Sequence, residues 1–222
     1  VEIIVGEEKV KKVKIGEKLP LVFIGGPCAI ESEDHAMHMS SSINEICEEL
    51  SVPFIYKSCY DKDCRSSSKS FLGLGIEPGL EILSRVRKEV GVPVTTDISN
   101  VAWVEETAKV IDLLQIPAYL CRQTHLLKAI GETGKPINVK KGQFMSPWNM
   151  RNSADKIAET GNDQVILTDR GTFFGYNMLI NDYRNFKIFT DAGFPACFDA
   201  THSIQLPTSL GSVSGGQREF IP

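Results

Sequence analysis

The chain lacks several features that would have directed its interpretation elsewhere. It has no excess of positive charge, since 24 Lys and Arg stand against 28 Asp and Glu for a net charge of −4. No overall basic field therefore argues for nucleic acid or an anionic membrane surface as a partner. The longest apolar run falls far short of a membrane span, and no signal-peptide pattern opens the chain. The six cysteines (Cys28, Cys47, Cys59, Cys64, Cys121 and Cys197) include no C-x-x-C pair, so reduced thiols in a cytoplasmic chain are the simplest account. No G-x-G-x-x-G follows the first predicted strand, which removes the main signal of a dinucleotide-binding sheet. Val1 is not a methionine, so it need not be the natural start.

What is present is a rhythm. Residues 2–16 read as two short strands about the Gly6–Lys9 turn, a hairpin suited to a cap or an oligomer contact. Apolar runs then predict strands at 21–25, from Phe54, and at 92–98, 111–116, 137–140, 164–168 and 196–201. Helical spacing falls between them at 33–50, 78–89, 101–110, 122–132, 152–159 and 181–192. Strands alternating with helices over short connections imply a parallel sheet with helical crossovers. An open doubly wound sheet and a (β/α)8 barrel both fit that order. Cys28, Lys57, Asp97, Gln115, Lys140, Arg170 and His202 all fall at or just past strand C-termini, which is the catalytic face of a barrel. The expected architecture is thus one α/β domain over residues 1–222, a TIM barrel with residues 1–18 as an N-terminal hairpin cap. Seven staves do not close such a barrel, so the eighth strand and last helices are expected beyond Pro222.

The stretch Phe54–Ser70, FIYKSCYDKDCRSSSKS, gathers Lys57, Lys62, Arg65 and several serines where a strand gives way to a loop. Such a set suits a phosphate ester, although the stretch alone reads equally as a solvated basic turn. Lys140 and Arg170 repeat the pattern at other strand ends. If these cations converge, they need a polyanion such as a phosphate plus a carboxylate to offset their repulsion. Asp97 and Gln115 would orient the ligand, while Arg65, Ser66 and Arg122 would hold a second phosphate further out. Cys28 and His202 form a possible metal pair, since thiolate and imidazole suit zinc, iron or another divalent transition ion. Two ligands do not make a site, and a buried Cys or a satisfied His is the commoner finding. His35 and His38 are expected on the surface of an early helix.

Seven segments carry a likeness to a known family: GGPCAIES (25–32), YKSCYDK with the following RSS, LLQIPAYLCRQT (113–124), NVKKGQFMSPW (138–148), LTDRGTFFGYN (167–177), FDATHSIQLP (198–207) and SGGQREFIP (214–222). From about Leu21 onward the chain resembles 3-deoxy-D-manno-octulosonate 8-phosphate synthase. The resemblance implies a (β/α)8 barrel, usually a homotetramer, that condenses phosphoenolpyruvate with arabinose 5-phosphate in lipopolysaccharide synthesis. It implies phosphoenolpyruvate contacts at Lys57, Lys62, Gln115, Lys140 and Arg170, pentose phosphate contacts at Arg65 and Ser66, and Arg122 bridging the phosphate region. It also implies a divalent metal (zinc, iron, manganese or similar) on Cys28 and His202, with Glu and Asp ligands beyond Pro222.

The sugar side departs from the family pattern. Cys64 replaces an Asn, Leu72 an Arg, Ser99 a His, His125 an Asp and Met178 an Asn. Two other expectations therefore stand beside the first: a related synthase using another aldose phosphate such as erythrose 4-phosphate, and a catalytically silent paralogue that binds phosphorylated metabolites.

Overall fold

The computed structural model of the chain describes residues 1–7, 10–63, 67, 69–207, 209 and 214–221. The N-terminal hairpin forms as expected: β1 (Ile3–Val5) and β2 (Val13–Ile15) pair antiparallel, Val5 opposite Val13. The strand β3 (Phe23–Gly25) leads to helix α1 (Glu33–Glu49), whose N-cap Ser32 accepts the His35 backbone N–H at 3.1 Å. Strand β4 (Phe54–Lys57), helix α2 (Ile76–Glu89), strand β5 (Val94–Asp97), helix α3 (Val104–Ala108), strand β6 (Leu113–Ile116) and helix α4 (Thr124–Glu132) follow. Then come β7 (Ile137–Lys140), α5 (Met150–Ala158), β8 (Val165–Asp169), the hairpin of β9 (Thr172–Phe173) with β10 (Leu179–Ile180), and α6 (Arg184–Asp191). The remaining elements are β11 (Ala196–Phe198), α7 (Ala200–Ser203), β12 (Gln205–Leu206) and β13 (Gly215–Gly216).

Seven strands form one parallel sheet in the order β3-β4-β5-β6-β7-β8-β11. That order decides between the two architectures. A doubly wound sheet reverses direction at a switch point, whereas a barrel adds each strand on the same side of the last. The sheet also curls. Its edge strands are six spacings apart, roughly 29 Å if the sheet were flat. Yet Ile24 of β3 and Cys197 of β11 pack into one cluster with Ile55, Leu113 and Ile166 from the strands between. Ile3, Val5, Val13 and Ile15 of the hairpin join the same cluster, so the hairpin plugs the N-terminal end of the curl. The helices cover the outside. Leu80, Leu83 and Val86 line one face of α2 and are buried against the sheet, as their spacing predicts.

Two local differences from expectation have clear causes. The strand predicted over 196–201 stops at Phe198, because the Asp199 carboxylate accepts the His202 backbone N–H at 3.0 Å and starts α7. The hairpin β9–β10 was not foreseen, since two-residue strands are too short to show period-two alternation. At the other end of the sheet Gly26, with φ of +148°, is the turn that lets the chain leave β3. A Cβ there would collide with the Lys57 carbonyl, so only glycine permits this close approach.

Candidate active site

The C-terminal ends of the strands open into a cleft of about 360 Å³. Cys28, Lys57, Lys62, Asp97, Lys140, Arg170 and His202 all line it, although more than 170 residues separate the first from the last (202 − 28 = 174). Barrel curling is what joins them: Cys28 follows β3 and His202 follows β11, the two edge strands, and their side chains hydrogen-bond to each other. Gln115 lies one layer lower. It is buried and donates from Nε2 to Asp97 Oδ1 beneath the cleft floor. Arg122 is exposed and not among the lining side chains; its carbonyl accepts Lys156 Nζ at 3.1 Å. Arg65 and Ser66 lie outside the described residues.

The electrostatics are those of an anion pocket with a managed floor. Four cations line the cleft, against Asp97 as the one acidic side chain among the lining residues described. Lys57 Nζ stands 3.8 Å from Asp97 Oδ2 and donates to Cys59 Sγ at 2.9 Å. Burial alone would lower the Lys57 ammonium, but Asp97, Cys59 and Cys28 beside it raise its pKa above the ordinary lysine value. Asp97 shows the counterpart: burial would raise its carboxyl, while Lys57, Lys140 and the Gln115 and Cys59 donors hold it below the usual range. Lys57 is therefore a fixed positive charge at neutral pH and not a base. Arg170 donates from Nη2 to Gln205 Oε1 at 3.4 Å, and its buried Nη1 has no hydrogen-bond partner among the described residues. A guanidinium N–H enclosed without a partner is costly unless an anion completes it.

The thiols differ sharply. Cys28 is exposed, and the hydrogen bond with His202, followed by the charges of Lys57 and Lys62, brings its pKa down to about 7 against the opposing effect of burial. Cys59 is buried, and burial together with Asp97 pushes it up to about 12. Cys28 is thus the thiol available as thiolate, and Cys59 is a neutral bridge between Lys57 and Asp97.

Several contributing residues escaped the sequence reading. Asp199 accepts His202 Nδ1 at 2.7 Å and also pairs with Lys140. Burial would raise its carboxyl, but Lys140 and His202 hold it well below the usual carboxylate range. Asp199 is the N-cap of α7, and an Asp just past the apolar run Ala196–Phe198 was the available signal. Lys141 and Asp169 form a fully buried ion pair at 3.3 Å behind Lys140 and Arg170. Lys141 Nζ also reaches Thr172 Oγ1 at 3.0 Å, tying together the two loops that carry those cations. No sequence signal separated Lys141 from its neighbour Lys140; strand alternation sends one into the cleft and the other behind it.

The chain matches the DAHP synthetase I family over residues 2–221. It is 52% identical over 217 residues to the 2-dehydro-3-deoxyphosphooctonate aldolase of Geotalea uraniireducens (strain Rf4), covering 98% of this chain and 80% of that protein. It is 50% identical over 207 residues to the protein of the same name from Thioalkalivibrio sulfidiphilus (strain HL-EbGR7), covering 93% and 74%. The corresponding protein of Thiobacillus denitrificans (strain ATCC 25259 / T1) is 52% identical over 203 residues, covering 91% and 72%.

Proposed function

The chain belongs to the DAHP synthetase I family, and from that premise we propose that it is a 3-deoxy-8-phosphooctulonate synthase. It joins phosphoenolpyruvate to D-arabinose 5-phosphate, giving 3-deoxy-D-manno-octulosonate 8-phosphate and inorganic phosphate for lipopolysaccharide synthesis. The observation that carries this reading is the convergence of Lys57, Lys62, Lys140 and Arg170 on one cleft, with a buried Arg170 N–H lacking a partner among the described residues. That surplus matches a small ligand bearing both a carboxylate and a phosphate.

In the reaction C3 of phosphoenolpyruvate bonds to the aldehyde carbon, and the aldehyde oxygen takes up a proton. Water adds at C2, and phosphate leaves with cleavage of its C–O bond. The four cations hold the two charged ends of phosphoenolpyruvate and fix which face of the enol meets the aldehyde, which is catalysis by position and electrostatics. Asp97 and Asp199 keep Lys57 and Lys140 in place before substrate arrives.

The donor set fits a divalent metal at Cys28 and His202. Cys28 has a lowered pKa, and Asp199 engages His202 Nδ1, leaving Nε2 as the ligating nitrogen. Among the described residues no cluster of three or more His, Cys, Asp or Glu side chains completes the set. A bound metal would orient the aldehyde or a water and make that water more acidic.

Exposed Phe173, Phe174, Tyr176, Ile180, Tyr183 and Phe198 support self-association, and the resemblance makes it a homotetramer, which sedimentation would test. The free thiols of Cys28, Cys47, Cys59, Cys121 and Cys197, the cysteines among the described residues, support a cytoplasmic setting.

The test is phosphate release from phosphoenolpyruvate by the purified full-length protein. Release should require both arabinose 5-phosphate and a divalent metal. A second reading, a synthase for another aldose phosphate, is favoured by Cys64, Leu72 and Ser99 on the sugar side. A panel of aldose phosphates separates the two. Phosphoenolpyruvate binding without turnover on any aldose would leave only the silent paralogue.

A further inference from the structure

Beneath the cleft the inward side chains form a continuous belt of hydrogen bonds. The Cys197 thiol bonds to Thr168, whose hydroxyl donates to Asn138 Oδ1 at 2.6 Å. Asn138 Nδ2 donates to Gln115 Oε1 at 2.9 Å, and Gln115 Nε2 donates to Asp97 Oδ1. The belt thus crosses β11, β8, β7, β6 and β5, neighbours in the sheet. At its far end Asp97 also accepts the Cys59 thiol at 3.3 Å and faces the ammonium groups of Lys57 and Lys140. Thr168, Asn138 and Gln115 are buried, so none can exchange a lost partner for bulk water.

The chemistry gives this belt one direction. An ionised carboxylate only accepts, so the Gln115 NH2 must face Asp97. The Gln115 carbonyl then faces Asn138, which must present its NH2. The Asn138 carbonyl is left for Thr168, which must donate. Reversing any link sets acceptor against acceptor, the Asn138 carbonyl against that of Gln115 or, if Gln115 flips as well, the Gln115 carbonyl against Asp97.

We propose that Asn138 and Thr168 are positioning residues, which lock the Gln115 amide with its N–H on Asp97 and through Asp97 hold Lys57 in place for substrate. The consequence for turnover rests on the synthase reading; the consequence for the amide does not.

The test compares full-length Thr168→Val, which keeps the shape and removes the donor, with Thr168→Ser, which keeps the donor. Thr95→Val serves as control, since it removes another buried hydroxyl, bonded at 2.6 Å to the Leu113 carbonyl and outside the belt. Nuclear magnetic resonance of the side-chain amides, assigned through the Gln115→Leu and Asn138→Leu variants, reports hydrogen exchange. Thr168→Val should speed exchange of the Asn138 and Gln115 amide protons by about tenfold or more, while Thr168→Ser and Thr95→Val leave it near wild type. In turnover, Thr168→Val should lower kcat/KM for phosphoenolpyruvate about tenfold, with rescue in Thr168→Ser. Asn138→Asp adds a sharper sign. Ionised, the new carboxyl cannot donate to Gln115; protonated, it can. The ratio of its kcat/KM to that of wild type should therefore rise as pH falls.

Unchanged amide exchange in Thr168→Val overturns the proposal whatever the turnover. A pH-independent Asn138→Asp ratio in an active enzyme also overturns it. Altered exchange in a chain without turnover supports the belt and removes the synthase reading instead.

Discussion

His202 Nδ1 lies 2.7 Å from the same Asp199 oxygen that holds the Lys140 ammonium. One carboxylate thus joins the end of β7 to the turn after β11, linking a substrate cation to a candidate metal ligand. The sequence distance between the two groups it serves is 62 residues (202 − 140).

Replacing Asp199 by Asn removes the charge but keeps the size. His202 loses the charged acceptor that orients its ring and raises its basicity, so divalent-metal affinity should fall about 10- to 100-fold. Chelator competition measures it. Unchanged affinity would show that the Asp199 charge does not support a metal on His202.

The two cleft thiols should separate by reactivity. Cys28, its pKa brought down to about 7, gains thiolate as pH rises through that value. Cys59, pushed up to about 12, stays protonated throughout. In metal-stripped protein a thiol reagent should label Cys28 fast and Cys59 slowly, with the labelling rate of Cys28 levelling off above pH 8. Peptide mapping identifies the labelled residue. His202→Ala removes the leading cause of the lowered value and should move the midpoint upward.

Arg170→Met tests the anion pocket itself. The guanidinium is buried, and its Nη1 lacks a partner among the described residues, so a bound anion gains a desolvated charge-assisted contact. Phosphoenolpyruvate affinity measured by calorimetry should fall roughly 100-fold. A change below about threefold would place the phosphate and carboxylate elsewhere.

The hairpin plug gives a prediction with the opposite signature. Ile3 is fully buried at the N-terminal end of the curl, away from the cleft. Ile3→Ala should cost about 2–4 kcal/mol in urea unfolding. The KM for phosphoenolpyruvate should stay at the wild-type value, because the cavity opens in the layer under the hairpin and not at the strand ends.

Much of this was legible in the chain before folding. The strand at 137–140 matches its observed bounds because Ile-Asn-Val-Lys alternates apolar and polar residues between the Gly134–Pro136 break and Gly142. Lys57, Lys62, Asp97, Lys140, Arg170, Cys28 and His202 could be proposed together because a barrel sends strand C-termini to one mouth. Helix ends were less readable: α2 begins at Ile76, two residues before the predicted Pro78, and α6 at Arg184, three residues after the predicted 181, where the Asp182 carboxylate accepts the Arg184 backbone N–H at 3.0 Å.

By itself the sequence determined the alternation of strand and helix, the polarity of each strand end and the surplus of cations near them. These follow from local periodicity and residue type. Only tertiary structure decided which of those groups meet. Gln115 and Asp97 share a strand-end pattern, yet one lies under the floor and the other lines it; Lys140 and Lys141 are adjacent, yet one enters the cleft and the other is buried behind it against Asp169. The reason is that the curl and pleat of the sheet set side-chain depth and direction, and both depend on neighbours far away in the chain.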